Sequence, residues 1–246
     1  MTLSEKTTRV QGGLAVVLAL IAGYIDSYTL LNYEVYASFM SGNTTQAGLR
    51  AGQGRLTEAG YHLLPIPLFV IGIIVGTFLL HSGLHHPLRL LCELVATLLA
   101  ASLAAVYLDP PAGWFNIILL SLAMGVMNTI ITRVGGQSVS LGFVTGDLNN
   151  LGRHLALAAK RVPVSDSQGP GDTHCRRAAL LAGVWTSFLI GALLAVAAMA
   201  LFGEWTLLLP IPILLVLAVF DRDTSAAERI ADVADINPFS RRACRR

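Results

Sequence analysis

Six long apolar runs divide the chain, at residues 13–33, 63–80, 88–108, 114–131, 178–202 and 205–220. A helix rises 1.5 Å per residue, so about 20 apolar residues cross the ~30 Å hydrocarbon layer of a bilayer. The pattern predicts six transmembrane helices, the sixth being the shortest. The string "LLPIP" opens two of them, at residues 63–67 and 208–212. Proline fits there because an N–H in a helix's first turn has no partner to lose.

Two polar interruptions break this pattern. "SFMSGNTTQAG" (38–48) follows the first run and "GFVTGDLNNLG" (142–152) follows the fourth. Phe39-Met40-Ser41-Gly42-Asn43 aligns with Phe143-Val144-Thr145-Gly146-Asp147, and Gly48 then falls on Gly152. Upstream, "GYIDS" (23–27) resembles "GVMNT" (125–129), which pairs Asp26 with Asn128. Downstream, "FVIG" (69–72) resembles "FLIG" (188–191). Three matches in one order indicate an internal duplication. Each copy holds three spans, and an odd number inverts the second copy relative to the first, a common construction in secondary transporters. The expected fold is an all-α membrane protein: six transmembrane helices as two inverted three-helix repeats (13–108 and 114–220), each with a broken or re-entrant segment. A cytoplasmic N-terminus (1–12), a polar linker (161–174) and a basic tail (221–246) complete the chain.

Composition agrees with this class. Hydrophobic residues make up 54% of the chain and charged residues 13%, about half the charge of a typical soluble domain. Mean hydropathy is +0.64. The net charge of +2 is small; the placement of the charges says more. With the N-terminus inside, only Arg50 and Arg55 of the 17 Lys and Arg residues fall outside. The positive-inside rule therefore predicts a multi-pass inner-membrane protein with both termini cytoplasmic. Lys6 and Arg9 ahead of an apolar run resemble a signal peptide, but no A-x-A site follows. Cys92, Cys175 and Cys244 fit neither a disulfide framework nor a zinc pattern.

The candidate chemistry sits at the interruptions. Asn43 and Asp147 are placed to cap short helices, and Gly42 and Gly146 permit close approach or an unusual backbone angle. A polar break at membrane depth persists only where protein or a water-filled cavity surrounds it. Two such breaks meeting near the midplane would turn free N–H groups toward one cavity and a polar or anionic ligand. The candidate binding residues are Asp26, Ser41, Gly42, Asn43, Asn128, Thr145, Gly146 and Asp147. Asp26 lies deep in the first span, where an unpaired carboxylate costs at least about 2.5 kcal/mol, so it should face the bundle interior. Asn128 cannot titrate, which makes Asp26 the better group for proton coupling.

Other features take structural readings. Arg89 and Glu93 form an interfacial pair. His81, His85 and His86 mark a turn rather than a metal site, and His62, His154 and His174 have no partners in sequence. Gly72 and Gly76 form G-x-x-x-G, which permits close packing inside the monomer or, less readily, in a homodimer. No nucleophile elbow, zinc-protease helix, phosphate-binding lysine loop or dinucleotide fingerprint is present, so no enzyme activity, cofactor, metal or nucleic-acid partner is expected.

"GYIDSYTLL", "FMSGNTTQAGL", "FVIGIIVG", "FVTGDLNNLGRHL" and "WTSFLIGALLA" together resemble the YoaK family of bacterial inner-membrane proteins of unknown function. The resemblance covers nearly the whole chain. It implies a six-helix membrane protein and transfers no activity. The expected function is a small secondary transporter or permease for a small polar or anionic metabolite, with Asp26 coupling protons; the alternative is a non-transporting scaffold or accessory subunit. Its partners would be membrane lipid and a small solute.

Overall fold

Apolar stretches without internal proline favour continuous helix, and the first run forms one. In the computed structural model, which describes residues 3–220 apart from 85, 109–112, 143, 168 and 170, helix α1 covers Leu3–Tyr33. It stops at Glu34, which turns left-handed (φ 57°) and returns its N–H to Leu30 at 3.0 Å. Helix α2 (Met40–Gly52) follows, then α3 (Leu56–Leu63) and α4 (Pro65–Leu80). Next come α5 (Pro87–Leu108), α6 (Trp114–Met127) and a hairpin of β1 (Arg133–Val134) and β2 (Gln137–Ser138). The chain continues as α7 (Val144–Ala159), α8 (His174–Phe202), a 3₁₀ turn (Gly203–Leu208) and α9 (Pro210–Phe220). Pro65 and Pro210 both stand at helix starts, as their missing N–H requires. The basic tail, His85 and Phe143 lie outside the described residues.

Among the described residues, four helices are long and apolar enough to cross a membrane: Thr7–Tyr33, Leu56–Leu80, Pro87–Val106 and His174–Phe202. The fourth and sixth runs give shorter apolar helices, Trp114–Met127 and Trp205–Val219. The 14 residues of α6 reach only about 21 Å at 1.5 Å per residue. Beyond Met127 the chain tightens into turns, with the N–H groups of Thr129 and Ile130 bonded to the carbonyls of Val126 and Met127. The hairpin that follows departs from an all-helical expectation. It pairs Arg133 with Ser138 and Val134 with Gln137, and Gly135 (φ 55°) supplies the left-handed conformation its tight turn needs.

The core draws on α1, α5 and α6, with Leu18, Ile21, Ile25, Leu91, Leu99, Leu120 and Met124 fully buried. Ile74 and Phe78 on α4, Leu193 and Val196 on α8, and Val219 on α9 are exposed. That is the distribution of a protein whose outer surface meets lipid rather than water. Buried polar links also join elements in the core. The Ser102 hydroxyl donates to Asn116 Oδ1 (2.6 Å), and the Tyr24 hydroxyl donates to the Thr206 carbonyl (2.8 Å).

Glycine sets how closely the spans approach. A Cβ on Gly23 would overlap the Phe188 carbonyl, and one on Gly191 the Leu20 carbonyl, so α1 and α8 cross backbone to backbone. A Cβ on Gly125 would overlap the Phe69 carbonyl, and one on Gly72 the Leu122 carbonyl, so α4 and α6 cross in the same way. Gly76 continues the second contact against Thr129. The G-x-x-x-G stretch therefore packs within the chain, where apolar lipid offers no hydrophobic drive and close van der Waals contact holds helices together.

Gly23→Ala is expected to lower the thermal midpoint of the detergent-purified protein, with an overpacking cost of about 1–3 kcal/mol because the obstructing atoms are backbone. Gly48→Ala, with no neighbour within 4 Å of its Cβ, should leave the midpoint unchanged or raise it, as alanine favours helix.

Candidate functional site

The break after α1 leaves six residues, 34–39, outside regular helix, and α1 itself answers their polar groups. Asp26 and Thr29 stand one turn apart on the same buried face, 3% and 1% exposed. Asp26 Oδ1 accepts from the Ser38 N–H at 2.7 Å, and its Oδ2 accepts from the Ser38 hydroxyl at 2.6 Å. The N–H groups of Ala37 and Phe39 face the same carboxylate. Thr29 Oγ1 accepts from the Ala37 N–H at 3.2 Å while donating back to α1. Charge-assisted bonds of this length are about twice as strong as neutral ones.

Asn43 completes the staple from the other side. It is fully buried, accepts from the Tyr36 N–H (2.9 Å) and donates to the Tyr36 carbonyl (2.7 Å). This differs from the capping role expected of it. Helix α2 already starts at Met40, so Asn43 stands within the first turns and reaches back seven residues instead. Asp147 does the same in the second motif, buried and accepting from the Ser140 N–H, again seven residues back. Its Oδ2 has no partner among the described residues. An asparagine both donates and accepts at such a turn; a carboxylate only accepts.

The two motifs touch. A Cβ on Gly142 would lie 3.0 Å from Ser38 Oγ and 3.2 Å from the Ser38 carbonyl, so the lead-in of the second motif packs directly on that of the first. Ser38 and Gly142 are the matching first residues of the two repeated strings. The structure thus brings Asp26, Ser38, Gly142 and Asn43 into one closed junction. It does not bring the hydroxyls there: Ser41 and Thr145 are exposed on the outer faces of α2 and α7. Gly42 serves packing rather than an unusual angle. It makes room for the edge-to-face pair of Tyr36 and Phe39, whose ring centroids are 5.2 Å apart. Asn128 ends α6, half-buried, and no side-chain hydrogen bond is found for it among the described residues. The amides at the start of α2 are not free: those of Met40, Gly42 and Asn43 go to the Ser38 and Phe39 carbonyls, and the Asp26 carboxylate takes the Ser38 amide just before the helix.

A second polar cluster was invisible in the sequence. His154 Nδ1 meets His174 Nδ1 at 2.8 Å, and His154 Nε2 meets Gln137 Oε1 at 2.6 Å. Beside them the buried Arg177 is held by Asp172 (2.8 and 2.9 Å) and Asp166 (3.0 Å). His154 lies seventeen residues from Gln137 and twenty from His174, and only the packing of β2, α7 and α8 joins the three. Burial pushes the His154 ring below the usual 6.5; His174, Arg177 and Arg153 push the same way, and Asp166 opposes them.

A family model for proteins of unknown function, DUF1275, matches residues 14–220. The chain belongs to this family. Its match spans both motifs, the glycine crossings and the polar clusters. A UPF0700 transmembrane protein of Rhizobium meliloti (strain 1021) is 28% identical over 152 residues, covering 61% of this chain and 64% of the relative. The chain thus spans just under two thirds of that relative's length. No solved structure matches. Membrane residence follows from the apolar helices and from this relative; neither comparison carries an activity.

Asn43→Leu keeps the branched side-chain skeleton and strands the Tyr36 N–H and carbonyl. An expected loss of about 1–3 kcal/mol per unpaired buried group should appear as a lower thermal midpoint. For His154 the sign is set by its lowered value: the unfolded chain takes up the proton first as pH falls through about 6.5, so stability drops toward acid. The midpoint should fall between about pH 7.5 and about pH 5.5, and His154→Gln should flatten that slope.

Proposed function

We propose that this DUF1275 member is a small secondary transporter built from two inverted three-helix repeats, with the Asp26–Ser38–Gly142 junction as its site. The observation that carries the proposal is the contact between Ser38 and Gly142, because equivalent residues of two copies touch only where an axis relating the copies passes between them. The glycine crossings support the same relation: Gly23 on Phe188 repeats as Gly125 on Phe69, and Gly191 on Leu20 as Gly72 on Leu122. Broken segments in matching halves are the usual place for a transporter's binding site. The excess of Lys and Arg at one face sets both termini in the cytoplasm of an inner-membrane protein.

The junction is closed, with Asp26, Ser38, Asn43 and Asp147 all at most 4% exposed. In this proposal Asp26 is an internal stand-in for the substrate. Ionised, its carboxylate occupies the amides and hydroxyl that open α2. Protonated, it holds them weakly, and an anionic or strongly polar solute takes its place at the same donors. Binding of solute and binding of a proton then favour one another, which is the linkage a proton-coupled carrier needs. Asn128, which cannot titrate, leaves the second half without that switch.

Reconstitution into proteoliposomes tests the coupling. Uptake of small anionic metabolites should depend on an imposed pH gradient, and Asp26→Asn should abolish that dependence. Uptake by the variant with the wild-type pH response would remove Asp26 from the mechanism. A wild-type protein that moves no solute in this assay would favour the scaffold alternative.

A further inference from the structure

At the end of the bundle where α1 begins, a cleft of about 280 Å³ opens between the first turns of α1 and α8 and the β1–β2 turn. Arg9, Arg176 and Arg177 line it, together with Asp172. The charges are not equivalent. Asp172 and Asp166 answer Arg177 with direct bonds. Arg176 gives one N–H to the Gly171 carbonyl at 3.2 Å. Neither Arg9 nor Arg176 has an ion-pair partner among the described residues. The cleft therefore holds two cations without answering anions. Gly12, Val134, Ala179 and Leu180 give it an apolar wall, with Thr8 and Gln137 beside them.

We propose that this cleft binds a phosphate group through Arg9 and Arg176, with the apolar wall taking the carbon skeleton attached to it. Guanidinium groups match phosphate oxygens two at a time, which a lysine cannot do. The cavity lies at the lower end of the usual ligand-site range of about 300–1,000 Å³, so it suits a headgroup rather than a large cofactor. Because both arginines stand at the mouths of membrane-crossing helices, the chemistry fits the phosphodiester of an anionic phospholipid. A soluble phosphate offers the same group from the aqueous side. The site is separate from the Asp26 junction and stands whether or not the chain transports a solute.

The test uses the full chain in neutral detergent, with thermal midpoints measured against added phosphatidylglycerol, phosphatidylcholine and inorganic phosphate. Phosphatidylglycerol should stabilise the protein more than phosphatidylcholine does. The double variant Arg9→Gln/Arg176→Gln should weaken the apparent affinity by about tenfold or more. The charge-matched control Lys160→Gln/Arg161→Gln should keep it. Arg9→Gln alone, changing an exposed side chain, provides a fold-preserving variant should the double one fail to purify. If inorganic phosphate stabilises the wild type and not the variant, while phosphatidylglycerol matches phosphatidylcholine, the site is a phosphate site fed from water. Equal responses of the wild type and the Arg9 variants to phosphatidylglycerol and to inorganic phosphate would overturn the proposal.

Discussion

The bonds from Asp26 to Ser38 answer the hardest constraint on this chain. A polypeptide that leaves helical structure at membrane depth exposes N–H and carbonyl groups with no water to receive them. Here α1 supplies the receivers from within the protein: Asp26 for the Ser38 amide and hydroxyl, Thr29 for the Ala37 amide. Asn43 closes the other end of the break on both polar groups of Tyr36. Without these side chains the interruption between α1 and α2 would be a buried defect. With them it is a fixed, dry connection, and the second motif can rest against it through Gly142.

Close approach is the second requirement, and glycine meets it. Lipid tails compete equally with apolar side chains for a helix surface, so spans gain little from being greasy. They gain from bringing backbones together. Gly23 and Gly191 do this between α1 and α8, and Gly72 and Gly125 between α4 and α6. A larger residue at any of the four positions meets main chain, which cannot move aside cheaply.

The two similar strings carry different chemistry at corresponding positions. Asp26 corresponds to Asn128 in the repeated strings, and Asn43 to Asp147. One half thus anchors its break with a charged acceptor and a neutral two-way staple; the other has a neutral amide on the span and a carboxylate on the staple, one oxygen of which is unpartnered. The ends of the bundle diverge too. Arg50 and Arg55 meet Glu58 near the start of α3, whereas the start of α8 brings His154, His174 and Arg177 together.

The sequence by itself determined the membrane class, the positions of the apolar helices, the duplicated motifs and the burial of Asp26. Each of these follows from local composition and spacing, which solvent and lipid read directly. It also indicated the Arg89–Glu93 pair, which forms at 2.6 Å because one helical turn brings those positions together. It misplaced Asn43 as a cap, since the helix start depends on where the preceding turn closes. It projected Ser41 and Thr145 into a shared cavity, although the rotation of α2 and α7 against α3 and α8 sends them outward. The hairpin at 133–138, the His154–His174–Gln137 cluster and the arginine cleft belonged to the tertiary structure alone. Their members sit on separate elements, and no periodicity within one segment encodes which distant segment it will meet.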